Sequence, residues 1–183
     1  MRDTKAQARQ HLQFLRKSQF SHSIEKKSQA ISQQVFNFEI YQNASSIGLY
    51  HALSHEVQTN DIFHHAKRVR KVCFYPKVLG TDMKFGAVDD LSQLQKGKKN
   101  IFEPRFVSDR QLIDIFFVPA VGLDLWGTRL GQGGGHYDRF LQHSTGVAVG
   151  LCFEFQLQTK LSEEMHDQRM DWIVTEKRII RCR

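Results

Sequence analysis

Leu112-Ile113-Asp114-Ile115-Phe116-Phe117-Val118-Pro119 is the stretch on which the fold turns. It is a nearly continuous apolar run, the pattern of a strand whose two faces are both covered, and Pro119 ends it because proline has no N–H to give a ladder. Upstream, Ser46-Ile47-Gly48-Leu49-Tyr50 reads as a second buried strand, His51 to Gln58 as a loop, and Thr59 as the N-cap of a helix carrying Ile62, Phe63, Ala66 and Val69. Val72-Cys73-Phe74-Tyr75 then reads as a strand stopping at Pro76, which completes a strand, helix, strand unit. Met83 to Val88 is a shorter strand, and Asp90 to Gln95 a short helix ahead of the Lys/Gly-rich segment Lys96 to Asn100. Downstream, a helix starts over His136 to Leu141, and strands follow at Val147 to Phe153 and Trp172 to Thr175. At the N-terminal end Ala8, Leu12 and Leu15 recur at helical spacing beside a basic edge of Lys5, Arg9 and Arg16. A second helix, with Ser23 as its cap, carries Ile24, Ser28, Ile31, Val35 and Phe38. Alternating helices and strands without repeats or a linker predict one three-layer α/β/α domain over residues 1–183 with a mainly parallel sheet.

The bulk composition agrees with one soluble domain and narrows its partners. At 183 residues, with 40% apolar and 25% charged side chains and 3 prolines, the chain can bury a core without disulfides and is not a disordered tail. No apolar run is long enough to cross a bilayer, and Met1-Arg2-Asp3-Thr4-Lys5 lacks the apolar core of a secretory signal, so a cytoplasmic protein without a membrane partner is expected. Cys73, Cys152 and Cys182 form no C-x-x-C pair, which suits reduced thiols. The net charge of +7 is concentrated early, where residues 1–30 hold seven Lys/Arg against Asp3 and Glu25. Such an excess suits an anionic partner: nucleic acid, a polyphosphate nucleotide or a polyglutamylated small molecule. A solvated helix face is the plainer alternative.

The segment with the most chemistry is Gly127-Thr128-Arg129-Leu130-Gly131-Gln132-Gly133-Gly134-Gly135-His136-Tyr137-Asp138. Five of the nine residues from Gly127 to Gly135 are glycine, and the segment lies between a buried strand and a helix. In that position backbone N–H groups can approach phosphate oxygens, and Arg129 adds a planar cation suited to phosphate or to charge developing in phosphoryl transfer. The segment is neither a Walker A loop nor G-x-G-x-x-G. Asp138, just inside the helix, either complements its dipole or supplies a carboxylate where Mg²⁺ would meet phosphate.

These residues resemble the signature of the 5-formyltetrahydrofolate cyclo-ligase family: Val118-Pro119-Ala120-Val121-Gly122-Leu123-Asp124, a short spacer, then Gly127 through Arg139. Lys5 and Arg9 on the first helix, Glu56-Val57-Gln58-Thr59 after the first strand and Glu103-Pro104 before the long apolar strand agree in order and approximate spacing. The resemblance implies a fold akin to the sugar-phosphate isomerase and CoA-transferase class. It implies ATP- and Mg²⁺-dependent conversion of 5-formyltetrahydrofolate to 5,10-methenyltetrahydrofolate, with release of ADP and phosphate, through a phosphorylated formyl group. A monomeric enzyme acting on ATP and a reduced folate is expected, with no nucleic-acid partner.

By the same resemblance Lys5, Arg9, Arg129, Leu130, Gly131, Gln132, Gly133, Gly134, Gly135, His136 and Tyr137 meet ATP, and Arg129 is the catalytic group. His51 and Glu56, with Gln132, Gly133, Gly134, Gly135 and His136, face the folate, and Asp138 and Asp167 hold Mg²⁺. The residues themselves leave plainer readings open. Lys5 and Arg9 could be solvated, Glu56 and Thr59 a reversed capping arrangement, and Asp167 part of an acidic surface stretch; Phe116, Phe117 and Trp126 could wall a pterin pocket or fill the core. Three positions depart from the family pattern: His136 replaces an aromatic Tyr, Phe102 a Pro and Asn100 a Gly. A rival of another class, a basic nucleic-acid-binding module, draws on Lys67-Arg68-Val69-Arg70-Lys71 but has no helix-turn-helix, ribonucleoprotein or zinc-finger signature.

Overall fold

The computed structural model describes residues 5–97, 101–108 and 112–183, so Asn100 lies outside the described residues. A seven-stranded sheet runs in the order β12 (Ile179–Arg181), β11 (Trp172–Val174), β9 (Val147–Leu151), β6 (Ile115–Pro119), β1 (Ser46–Gly48), β2 (Val72–Leu79), β3 (Asp82–Ala87). Its five inner strands are parallel to their neighbours, and β3 and β12 close the two edges antiparallel. The apolar run is therefore central, as its composition demands. Its first residues are not part of the strand, since Leu112 is 87% exposed. The Asp114 carboxylate that interrupts the run accepts from the Ser45 and Ser46 N–H groups at 2.8 Å each and so pins the start of β1 beside β6. Burial alone would raise its pKa, but these hydrogen bonds hold it below the usual value.

Successive side chains of β6 go to opposite faces, as the strand period requires. Phe117 packs with Ile47, Leu49 and Val149 under α2 (Ser21–Phe36) and α4 (Asn60–Arg68), with Ile31, Val35, Ile62 and Phe63 as the helical partners. Phe116 and Val118 face the other way, against Phe85, Ala148 and Leu141 of α5 (His136–Leu141). Between α2 and β1 lies a short helix, α3 (Glu39–Asn43), which the sequence pattern did not announce.

Pro76 does not stop β2, which continues to Leu79. The Phe74 carbonyl accepts from the Leu49 N–H, so Pro76, two residues on, turns to the same side at a point where β1 has already ended. No ladder donor is required of it there. The expected helix after Asp90 is one 3-10 turn, Leu91–Gln93, followed by β4 (Leu94–Lys96) pairing antiparallel with β5 (Phe102–Pro104).

A second small sheet, in the order β10 (Leu157–Gln158), β7 (Gly122–Asp124), β8 (Arg129–Leu130), stands between β6 and the glycine segment. The glycine loop thus leaves β8 and not the end of a central strand. The buried Asp124 shapes this sheet: one carboxylate oxygen accepts from the N–H groups of Trp126 and Thr128 at 3.0 Å, and the other from Leu161 at 2.8 Å. Gly127 turns the hairpin at φ 85°, where a side chain would also collide with the Met170 backbone. Leu12 of α1 (Lys5–Lys17) joins Val121, Leu130 and Leu161 in a third, small apolar cluster, which seats α1 on this sheet.

Two of the four cations in the run from Lys67 to Lys71 are engaged within the fold, while Arg68 and Arg70 are exposed. Lys67 pairs with Asp89 at 2.8 Å, and the buried Lys71 donates to the carbonyls of Gln42 and Ala44 at the end of α3. Cys73 and Cys152 are buried and unbridged. Among the described residues no helix is long and apolar enough to cross a membrane.

Candidate active site

Helix α1 lies along the glycine loop and touches it, or its neighbours, once per turn. Lys5 Nζ forms an ion pair with Asp167 and lies 3.5 Å from Glu164. Arg9 Nε donates to the Gly131 carbonyl at 2.8 Å, and Gln13 Nε2 to the side chain of Gln132 at 2.8 Å. Arg16 NH1 donates to the Ala120 carbonyl at 3.2 Å and sits 3.4 Å from Glu56 Oε1. Residues three and four apart share a helix face, so one side of α1 carries this whole series. Lys5 and Arg9 are accordingly not solvated charges on an unattached helix.

Arg129 is 7% exposed, and its NH2 meets both oxygens of Asp138, at 3.0 and 2.9 Å. Its guanidinium lies 5.5 Å from the Tyr137 ring centre and runs beneath Gly131, where a Cβ would collide with NH1. The loop above is open: Gln132, Gly133 and Gly134 are exposed, and the backbone N–H groups from Gln132 to Gly135 have no hydrogen-bond partner among the described residues. Gly135 enters α5 in the left-handed region at φ 63°. A side chain there would be strained and would press on Arg139, whose guanidinium ties the Gly134 carbonyl to that of Thr81, at 2.8 Å each. With only six residues, α5 adds little dipole, and Lys5 and Arg16 are each paired with a carboxylate, so the features left to meet an anion are these backbone N–H groups and the Arg9 guanidinium beside them.

Facing the loop, Glu56 is 8% exposed and accepts from the Leu53 N–H at 3.0 Å. It does not cap α4. Thr59 holds the N-cap position, but its hydroxyl donates to the Tyr50 carbonyl at 2.7 Å, so the reversed capping arrangement is absent. Glu56 is close enough to His51, Tyr50 and Tyr137 to raise the pKa of each. Burial outweighs this at His51 and lowers its pKa, which favours the neutral ring; at Tyr137 burial pushes the phenol far up and keeps it a donor. His51 Nδ1, Arg129 Nε and the Tyr137 hydroxyl are buried without a partner. Such groups are costly unless something completes them.

The His51 ring lies 4.7 Å from that of Phe102, which supplies the aromatic wall near this end. Phe116 and Phe117 are 3% and 1% exposed and belong to the core, and Trp126 borders a different cavity beside Trp172 and Arg181. None of these three walls the space between Glu56 and the loop.

Asp138 and Asp167 are brought close through Gln168, whose N–H donates to Asp138 Oδ1 at 3.3 Å. Asp167 accepts from Lys5 and from the Glu164 N–H, contacts that hold its pKa down although burial alone would raise it. Ligand atoms of Glu164, His166 and Asp167 lie within 4.8 Å of one another. Carboxylate oxygens beside an open glycine loop suit the ligand preference of Mg²⁺, which takes one or two carboxylates with phosphate and water; the imidazole of His166 does not suit it. At Asp138 both oxygens already serve Arg129, so a metal there would share them.

A family model described as the 5-formyltetrahydrofolate cyclo-ligase family matches residues 1–176. The chain belongs to the 5-formyltetrahydrofolate cyclo-ligase family. It is 27% identical to the 5-formyltetrahydrofolate cyclo-ligase of Mus musculus, over 82% of this chain and 83% of the mouse protein. It is 29% identical to that of Mycoplasma pneumoniae, over 90% and 95% respectively. The solved structure of Aquifex aeolicus 5,10-methenyltetrahydrofolate synthetase superposes with a TM-score of 0.88 at 28% identity, covering 98% of this chain and 93% of that one. A cyclo-ligase of this family is an enzyme, which agrees with a site whose cations and unmatched donors converge on one loop.

Two side chains that touch this site escaped the sequence reading in that capacity. Arg16 counted only as part of a basic edge, although its spacing of seven from Arg9 places both on one helix face. Gln13 carried no signal at all.

Proposed function

We propose that this cyclo-ligase converts 5-formyltetrahydrofolate to 5,10-methenyltetrahydrofolate at the expense of ATP, in the cleft between α1, the glycine loop and the Glu56 loop. The observation that carries the reading is the alignment of Lys5, Arg9 and the unpartnered loop N–H groups opposite a buried carboxylate, Glu56. One end is suited to polyphosphate and the other to a ring system with an N–H edge.

The N5-formyl oxygen is a poor leaving group. In the first step it attacks the terminal phosphorus of ATP and ADP departs. In the second, the lone pair of N10 attacks the formyl carbon, the carbon–oxygen bond breaks with phosphate as the leaving group, and the N10 proton passes to phosphate or water. Phosphoryl transfer asks a protein mainly for positioning and charge stabilisation. Lys5 and Arg9 would bind the ATP phosphates from α1, and the backbone from Leu130 through Tyr137 would cradle them. Arg129, held under Gly131 by Asp138, would place positive potential below the transferring group.

Glu56 would accept from the pterin N–H edge, His51 and Phe102 would border the ring, and the Tyr137 hydroxyl would donate to a substrate oxygen. Asp138 and Asp167 would hold Mg²⁺, which when bound neutralises phosphate charge. His136 keeps a planar ring where the loop enters α5 and would offer a ring nitrogen to substrate. The protein is expected to act in the cytoplasm as a monomer, with ATP and reduced folate as its partners.

The chemistry is checked by placing a heavy-oxygen label in the formyl group and turning the substrate over with ATP. Label recovered in inorganic phosphate, with one ADP formed for each methenyl product, is expected. Label released as water, or product formed without ADP, would remove the phosphorylated intermediate.

A further inference from the structure

Arg16 has the largest fully buried side chain among the described residues, 1% exposed, and no substrate can reach it. Its NH1 makes two contacts with separate parts of the chain. One is the Ala120 carbonyl, just beyond β6, which also accepts from Gln156 Nε2 at 2.9 Å; the other is Glu56 Oε1 at 3.4 Å. Burial lowers the pKa of the guanidinium, and Glu56 exerts the largest opposing pull. The pair is therefore electrostatically close as well as geometrically so.

Glu56 is left with a defined orientation. Leu53 N–H holds Oε2 and Arg16 faces Oε1, so each oxygen has one protein partner and a lone pair to spare. A carboxylate constrained at both oxygens cannot rotate about its last bond to suit other partners, and it presents a fixed pair of acceptors.

We propose that Arg16 is a positioning residue for the reduced folate, acting through Glu56 by fixing its carboxylate and balancing its charge. This rests on the reading that Glu56 faces the folate. Another role for Arg16 makes a different forecast. If it only anchors α1 on Ala120, removing it displaces Lys5 and Arg9 on the same helix, and ATP suffers at least as much as folate.

The test uses the full chain and measures binding of 5-formyltetrahydrofolate together with KM for ATP in Arg16→Met, Arg16→Lys, Glu56→Gln and the Arg16→Met/Glu56→Gln double variant. Arg16→Met should weaken folate binding at least about tenfold while KM for ATP stays within about twofold, because truncating one member of a buried charge pair acts first on the member left behind. In the Glu56→Gln background the same change should add less than about twofold, the signature of two residues acting as one unit. Full additivity, equal losses for both substrates, or unchanged folate binding would overturn the proposal. Should Arg16→Met not fold, Arg16→Lys decides, since lysine keeps the charge but not the planar fork: a loss of about threefold or more for folate alone supports the proposal, and unaltered folate binding sinks it. Wild-type protein that binds no 5-formyltetrahydrofolate would overturn the parent reading and this one with it, whereas normal wild-type binding with indifferent Arg16 variants removes only this one.

Discussion

The central sheet and helix α1 are held by different physics. The sheet is sandwiched between two large apolar clusters, and its middle strand, β6, buries side chains on both faces. Helix α1 rests on a small cluster through the buried Leu12, with Ala8 and Leu15 half-buried beside it, and much of its attachment is polar: Lys5 to Asp167, Arg9 to Gly131 and Gln13 to Gln132, half-buried or exposed, and the buried Arg16 to Glu56. Apolar burial stabilises roughly in proportion to area, whereas exposed or half-buried polar contacts contribute little net. The sheet is therefore expected to open only with global unfolding and α1, which borders the proposed site, to open more readily, as local stability differences in binding elements lead one to expect.

That contrast can be broken from either side. The largest effect is expected from Phe117→Ala in β6, which should cost about 3–5 kcal/mol of global stability, read from urea unfolding. Arg129→Ala comes next, because it strands Asp138 as a buried unpaired carboxylate; a loss of about 3 kcal/mol is expected together with loss of turnover. Near-normal turnover in that variant would remove Arg129 from the mechanism, and unaltered stability would show that the buried pair matters less than its geometry suggests. Leu12→Ala should cost about 2 kcal/mol, but locally. Amide exchange should accelerate across α1 while β6 and β9 stay protected, and KM for ATP should rise; uniform acceleration across the sheet would contradict the separate seating of α1.

Smallest is the pH response. His51, His55 and His65 are held below their ordinary value of 6.5, first by burial, so the unfolded chain takes up protons before the folded one as pH falls. Their contribution to stability is complete above 6.5 and is lost as pH drops below it. Asp114 and Asp167 lie below the ordinary 3.8, and what they contribute is lost only at still lower pH. Urea midpoints should therefore fall in two stages on acidification, and a midpoint that rises between pH values of about 7 and 5 would contradict this reading of the histidines.

Much of the sheet was legible because its strands are buried on both faces: the apolar runs at 46–50, 115–118, 147–151 and 172–174 announce themselves without knowledge of their partners. What escaped was short or compensated elsewhere. Strands β7, β8 and β10 have two or three residues each, too few to show a period, and exist because Asp124 and the α1 cluster fold that segment back. Continuation of β2 through Pro76 depends on where β1 ends, which no local pattern records.

In the site, the glycine loop stood out by composition and α1 by its basic edge. The partners did not. Lys5 finds an acidic residue 162 positions away, and Arg129 turns to Asp138 where sequence reading left it free for phosphate. A cation in a sequence shows charge, and only the fold shows how much of that charge is already spent.

The most direct test of the account follows absorbance of the methenyl product with purified protein, Mg²⁺, ATP and 5-formyltetrahydrofolate. Product formation that depends on both ATP and the metal, and that falls away in Lys5→Ala and Arg9→Ala, is the predicted result. A protein that is folded and binds both substrates yet yields no ATP-dependent product would contradict it.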